Sequence, residues 1–313
     1  MFTKIEKLTK QIYTSQHLNF SIGKDKSIFN RFLNHVKQPS YYGLTKNFFK
    51  GKSVLDVGCG NTGFIEVAMY LLGVSNIACV DIGKSWIPHL KKVLATSNVP
   101  ETLLTYTQGS TTKIPFANSS FDFVISHGVL MHLENINKAK IALKELVRVT
   151  KKGGYIYLYT GVDKPGIVDK YILPSLRKAY KEDKNFRYFI DKIDYRKITK
   201  NLIECFHSAK RYDKSFNKDF LNLISGLFTI DSETFVKNAV QVPVQQGPLL
   251  DFGFIKQELN KLGIKNVKRI PEIYWKRNDF RRYLAPFHYR LDVPLSKMFW
   301  GGGHVKIICY KHK

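Results

Sequence analysis

The sequence predicts an α/β fold, a mainly parallel β-sheet with helices on both faces, and three observations carry that prediction. A buried apolar run, Val54 to Val57, passes straight into a turn holding Gly58, Gly60 and Gly63, after which Ile65 to Leu72 continues with helical character. Further short apolar runs recur at 76–83, 102–110, 121–126 and 155–160, with helical stretches at 85–95 and 136–149 between them. Strands alternating with helices at this pitch make parallel pairs joined by right-handed crossovers. Finally, 313 residues at 44% hydrophobic composition suffice for a sizeable core.

In chain order, residues 1–50 form an N-terminal arm of two or three short helices, with apolar residues at helical spacing from Ile28 to Val36. Its last part, PSYYGLTKNFFKGKS, sets Tyr41, Tyr42, Phe48 and Phe49 before the first strand, so the arm is expected to fold back over the glycine turn. Tyr42 is thereby a candidate substrate contact, although packing alone also explains these aromatics. At the turn itself, glycine permits φ > 0 and close approach to a ligand, and the helix that follows presents unpaired N–H groups. The next strand, NIACVDIG, ends at Asp81, about twenty residues past the glycines, where a carboxylate can accept both hydroxyls of a ribose lying across neighbouring strand ends. Ile82 is placed to cover a flat base. A turn aspartate or an N-cap for the 85–95 helix is the competing reading of Asp81.

The third strand is TLLTYTQGS, the fourth spans Phe121 to Ser126, and the helix Ile136 to Val149 and a KKGG turn lead into the fifth, Tyr155 to Thr160. Residues 51–162 thus make a core. Residues 163–250 are a Lys-rich helical insertion, broken by Pro243 and Pro248. Residues 251–313 return to the sheet, with DFGFIKQELNKLGIKNV as the helix before the sixth strand, which Ile270 to Trp275 continue. A second insertion at 277–300 carries Arg277, Arg281, Arg282, His288, Tyr289 and Arg290. The glycine run 301–303 then leads tightly into a last strand, GHVKIICYK.

The formal net charge of +25, mostly lysine, suits an anionic partner, and a bias toward AT-rich codons explains it equally well. No apolar run is long enough for a membrane span and the first residues carry spread charges, so the expected location is cytoplasmic. Cys59, Cys79, Cys205 and Cys309 show no CxxC pair and none of the close spacings of a zinc site. Reduced thiols and no metal site are expected.

The succession VLDVGCGNTG, CVDIG, QGSTTKIPFANSSFDFVISHGVLMHL and KELVRVTKKGGYIYL resembles the class I S-adenosylmethionine-dependent methyltransferases, especially their ubiquinone-biosynthesis-like branch, over residues 50–160. The resemblance implies a Rossmann-like seven-stranded sheet whose last strand is antiparallel, with the 163–250 insertion as a wall or lid over the substrate. It implies S-adenosylmethionine as cofactor and S-adenosylhomocysteine as product, with Asp56, Gly58 and Gly60 around the methionine part, Asp81 on the ribose, Ile82 on adenine, and Ser110 and Thr111 at the adenine edge. Ser110 stands where the family commonly has aspartate, and a hydroxyl bonds the adenine amino group more weakly than a carboxylate. A nicotinamide dinucleotide fits less well, because Asp56 would repel a pyrophosphate and suits an ammonium group.

Methyl transfer from a sulfonium is an in-line displacement that asks an enzyme mainly to align the acceptor and exclude water. His127 and His132 follow the fourth strand, and the family architecture places that region nearest the transferred methyl. His127 is the preferred proton acceptor and a cofactor neighbour; for His132 a packed helix residue is the competing reading. Arg281 and Arg282 can hold a carboxylate or phosphate, and His288 or Tyr289 can orient the acceptor. The expected activity is methylation of oxygen, nitrogen or sulfur on a small-molecule acceptor, an anionic metabolite being one candidate class. The alternative is an RNA or protein methyltransferase that binds through the basic surface, against which stands the lack of a recognisable RNA-binding module. A cofactor-binding scaffold without activity is disfavoured by the intact Asp56, Gly58, Gly60 and Asp81 set.

Overall fold

In the computed structural model, which describes residues 26–85, 87–192, 250–270 and 304–312 and a few isolated positions, Ser53–Val57 (β1) is buried along its whole length. Val54 packs on one face of the sheet while Leu55 and Val57 pack on the other, as the twofold period of a strand requires. Such a strand belongs at the centre. The sheet has seven strands in the order β3-β2-β1-β4-β5-β7-β6, comprising β2 (Asn76–Asp81), β3 (Leu104–Gln108), β4 (Phe121–His127), β5 (Thr150–Val162), β6 (Asn266–Arg269) and β7 (His304–Tyr310). The ladders β1–β2, β1–β4, β2–β3 and β4–β5 are parallel, and β6–β7 is antiparallel. The architecture is the Rossmann-like one that the sequence predicted.

On one face lies α1 (Lys26–Val36), followed in the chain by α2 (Phe64–Leu71) and α3 (Ile87–Thr96), which share a core with Val54, Cys79, Phe123 and Tyr157. The other face is covered by α4 (Ile136–Val149), through Leu143 and Leu146, and by α5 (Phe252–Lys261), through Ile255 and Leu259. Each of these two helices starts on a side-chain cap: Asn135 accepts from Lys138 N at 3.0 Å and Asp251 from Phe254 N at 2.7 Å. A cap of this kind contributes about 1 kcal/mol.

Chain contacts group residues 1–161, 245–270 and 305–313 as one unit, and 162–244 with 271–304 as another. The described part of the second unit is a π-helical turn, Val168–Ile172, leading into the helices Leu173–Glu182 and Lys184–Lys192. Among the described residues no helix is long and apolar enough to cross a membrane. The segment expected to be a KKGG turn is instead part of β5. Gly153 N donates to Lys311 O at 2.7 Å and Lys311 N to Gly154 O at 2.9 Å, so pairing with the chain's last residues overrides the local turn signal. Most of the first insertion beyond residue 192, and the second insertion with Arg277, Arg281, Arg282, His288, Tyr289 and Arg290, lie outside the described residues.

Candidate active site

From β1 the chain steps to β2 and β3 on one side and later returns to β4 on the other, so the carboxyl ends of β1 and β4 part and leave a crevice. The glycine turn sits at its mouth. Gly58 has φ +83° and Gly60 φ +59°, both in the left-handed region. The two glycines serve different ends: a Cβ on Gly58 would stand 2.2 Å from Val129 Cγ2, whereas one on Gly60 would meet nothing within 4 Å. Gly58 lets the turn pack against the loop after β4, and Gly60 presents backbone to open space.

Asp81, at the end of β2, accepts from Gly60 N at 3.2 Å through Oδ2 and from Gly83 N at 2.9 Å through Oδ1. Burial pushes its pKa up, and these backbone bonds offset part of that rise. Each oxygen keeps a lone pair for a further donor. Asp81 lines a cavity of about 80 Å³ together with Gly58, Ile82, Ser110, Thr111 and His132. Gln108 Nε2 holds the Ile82 carbonyl at 2.9 Å, and Ser110 Oγ meets Thr112 Oγ1 at 2.9 Å. The loop carrying Ser110 and Thr111 is strapped from below by Arg148, which donates to Ile114 O (2.8 Å), Phe116 O (2.7 Å) and Glu145 (2.7 and 2.8 Å).

On the other side of the turn, Tyr41 Oη lies 2.9 Å from His127 Nε2, and the His127 ring stacks on Tyr159 at 4.4 Å and 7°. Lys306 Nζ is 4.8 Å from the Tyr41 ring centroid and 5.7 Å from that of Tyr159. Burial, with Lys306 beside it, pushes the His127 pKa down to about 4; burial takes His132 to about 4 as well.

Asp56 departs from its expected place. It points to the face opposite Leu55 and Val57, is buried, and comes within hydrogen-bonding reach of Glu66, leaving Oδ1 without a partner. It is not among the cavity-lining residues. Tyr42 is wholly buried, packed edge-on against Phe49, Phe123 and Tyr157, and it is Tyr41 that reaches His127. The structure therefore brings Gly58, Asp81, Ile82, Ser110, Thr111 and His132 together around one cavity, and sets His127 in a separate aromatic group. Sequence reasoning missed Tyr159 and Lys306. The parallel register pairs Tyr159 with His127, a contact between strands that the local sequence does not signal.

With this geometry in view, residues 55–158 match a family model described as Methyltransferase domain. The core of this chain is a methyltransferase domain. It is of the class I S-adenosylmethionine-dependent kind, and S-adenosylmethionine is its cofactor. Among its relatives, the tRNA (carboxymethyluridine(34)-5-O)-methyltransferase of Arabidopsis thaliana is 30% identical over 39% of this chain and 27% of that protein. A tRNA U34 carboxymethyltransferase of Pseudomonas syringae pv. syringae is 32% identical over 42% and 39%, and an uncharacterised methyltransferase of Schizosaccharomyces pombe is 34% identical over 36% and 41%. The match therefore spans less than half the length of each of these relatives. The domain's residues fit the cofactor's adenosine end: Gly60 faces open space, Asp81 holds a carboxylate with lone pairs to spare, and Ile82 borders the cavity.

Proposed function

We propose that the protein methylates an anionic oxygen of its acceptor, with the Tyr41, His127 and Lys306 group receiving that acceptor. The observation that carries this reading is the setting of His127, stacked on Tyr159 at 4.4 Å with Tyr41 Oη 2.9 Å from its Nε2 and Lys306 over the Tyr41 and Tyr159 rings. With a pKa near 4, its imidazole is neutral at physiological pH and protonates only as pH falls toward that value. A base so weak gives little help to a hydroxyl that must lose its proton, because proton transfer works best when the base titrates near the operating pH. An acceptor that is already an anion needs no base. It does need a counter-charge, which Lys306 offers from above the Tyr41 and Tyr159 rings, and a hydrogen-bonding contact, which Tyr41 and His127 share.

The cofactor, when bound, supplies a methyl group already activated as a sulfonium. Asp81 would hold the ribose hydroxyls, Ile82 the face of the base, and Ser110 and Thr111 its edge, while the Gly60 backbone leaves room for the chain between. His127 would align the acceptor oxygen and keep water from it.

A small anionic metabolite is the simplest such acceptor. A second reading places the anionic group on RNA. It is supported by the net charge of +25 and by relatives whose names specify tRNA, that of Arabidopsis thaliana naming carboxymethyluridine. Incubation of a cell extract with isotopically labelled cofactor, then separation of metabolites, RNA and protein, distinguishes the two. Label in an ester that mild alkali releases supports an anionic oxygen acceptor, and the fraction that holds it names the carrier. Label only in alkali-stable amines overturns the reading. The turnover should also show no inflection between about pH 5.5 and 8. A bell or step centred near the ordinary histidine value would restore His127 as a general base.

A further inference from the structure

The two short helices of the second unit, Leu173–Glu182 and Lys184–Lys192, are joined through Asp183 and braced against each other. Asp183 Oδ1 caps the second helix, accepting from Asn185 N at 2.8 Å and Phe186 N at 3.0 Å. Tyr180 Oη donates to Asp191 Oδ1 at 2.6 Å, and Arg187 Nε donates to Tyr180 O at 2.8 Å. Ile190 is buried and Phe186 half-buried, so the second helix already has an inward apolar side. Its other rings stay in water: Tyr188 is 67% exposed and Phe189 57%, while Tyr171, just before the first helix, is 66% exposed.

A single exposed ring needs no explanation, but Tyr188 is set between cations. Lys184, Tyr188 and Lys192 recur every four residues and are all exposed, so they form one stripe along the helix with steps of about 6 Å. Lys192 Nζ lies 5.9 Å from the Tyr188 ring centroid. The acids of the pair are engaged elsewhere, Asp183 and Asp191 as above and Glu182 with Lys178 at 4.0 Å. Among the described residues no carboxylate pairs with Lys184 or Lys192.

We propose that this stripe is a binding surface for single-stranded RNA, with Tyr188 and Phe189 stacking on bases and Lys184 and Lys192 meeting phosphates on either side. The proposal rests on the reading above in which RNA carries the acceptor, and adds to it the place where the strand is held. Unpaired bases and a charged backbone together match rings interleaved with lysines. Every base has a π-face worth about 1–3 kcal/mol on an aromatic side chain, and every nucleotide brings a negative charge. A duplex keeps its base faces inside the stack and offers only charge and shape. A bilayer surface fits less well, because a helix lying in it needs a broad apolar face, and here Ile190 and Phe186 are turned away from solvent.

The test is fluorescence anisotropy of the full chain with a fluorescein-labelled single-stranded oligouridine, read over a range of salt. Binding in the micromolar range is expected. Tyr188→Ala with Phe189→Ala should weaken it at least about tenfold, and Tyr188→Phe should stay within about twofold of wild type. Lys184→Gln with Lys192→Gln should lower the salt slope by about 1.4, the share of two phosphate contacts on a single strand. Lys140→Gln with Lys144→Gln, a lysine pair on α4, should leave affinity within about twofold. Should the double ring variant not fold, Tyr188→Gln carries the test, with a loss of about fivefold. No binding by the wild type, equal losses for the two lysine pairs, a ring variant that binds as wild type, or capture of the chain by phosphatidylserine vesicles but not by oligouridine overturns the proposal. A ring variant that binds as wild type while label still enters the RNA of the extract overturns this surface alone; label confined to metabolites overturns the RNA reading with it.

Discussion

Two carboxylates on adjacent strands, Asp122 at the amino end of β4 and Asp56 toward the carboxyl end of β1, meet opposite fates. Asp122 accepts from Ser53 N at 2.9 Å and Ser53 Oγ at 2.7 Å, and pairs with Lys151 Nζ at 3.0 Å. Partial burial pushes its pKa up, but the Ser53 bonds and Lys151 outweigh that and hold it below the ordinary carboxylate value. Asp56 has burial, Glu66 and Asp81 all pushing its pKa up, and one oxygen with no partner. The amino ends of the strands are a finished structural joint. The carboxyl ends keep polar groups unsatisfied, the mark of a place built to receive something.

The largest effect expected at the carboxyl ends comes from Gly58→Ala. Its Cβ would sit 2.2 Å from Val129 Cγ2 on a backbone with φ +83°, and overpacking plus left-handed strain should cost about 3 kcal/mol in a denaturant melt. Gly60→Ala, with φ +59° and open space around it, should cost only about 1 kcal/mol. It should weaken cofactor binding instead. Equal costs for the two would remove the distinction between a packing glycine and a ligand-facing one.

Next is Asp81→Ala, expected to weaken S-adenosylhomocysteine binding about 100-fold by calorimetry, or about 2.7 kcal/mol, the worth of charge-assisted bonds. Asp122→Ala should do the reverse, costing about 2 kcal/mol of stability while leaving that affinity within about twofold. The pH sign follows from the lowered value of Asp122. A depressed folded pKa contributes stability above the unfolded value of 3.8 that is lost as pH falls through the folded one. The gap between wild type and Asp122→Asn should therefore be full near neutrality and close below about pH 4. A gap that widens in acid would contradict the assignment.

Much of this was legible in advance where the signal is local. The α4 helix was expected at Ile136 to Val149 and is found there, because apolar spacing and the Asn135 cap agree. The strand, glycine turn and helix of residues 53–71 and the end of β2 at Asp81 follow the same logic. What was not legible depends on partners distant in sequence. Cys59 and Cys79 are twenty residues apart, and nothing in the local sequence around either says that they meet. Only the β1–β2 register, Asp56 opposite Cys79, brings them together. Likewise, which of Tyr41 and Tyr42 turns toward His127 is decided by the short 3₁₀ turn Pro39–Tyr42, and Lys306 by its place on β7.

The smallest effect tests the finished end of the comparison most finely. In Lys151→Ala, Asp122 loses its cation but keeps both Ser53 donors, and the ion pair is 40% exposed on the lysine side. Solvent already screens such a pair, so stability should fall by only about 0.5 kcal/mol, and less at high salt. The Asp122 pKa should rise yet stay below that of a buried, unpaired carboxylate, as read from the acid limb of the stability curve. If Lys151→Ala costs as much as Asp122→Ala, the joint is electrostatic and not, as its geometry indicates, a pair of serine hydrogen bonds with a lysine beside them.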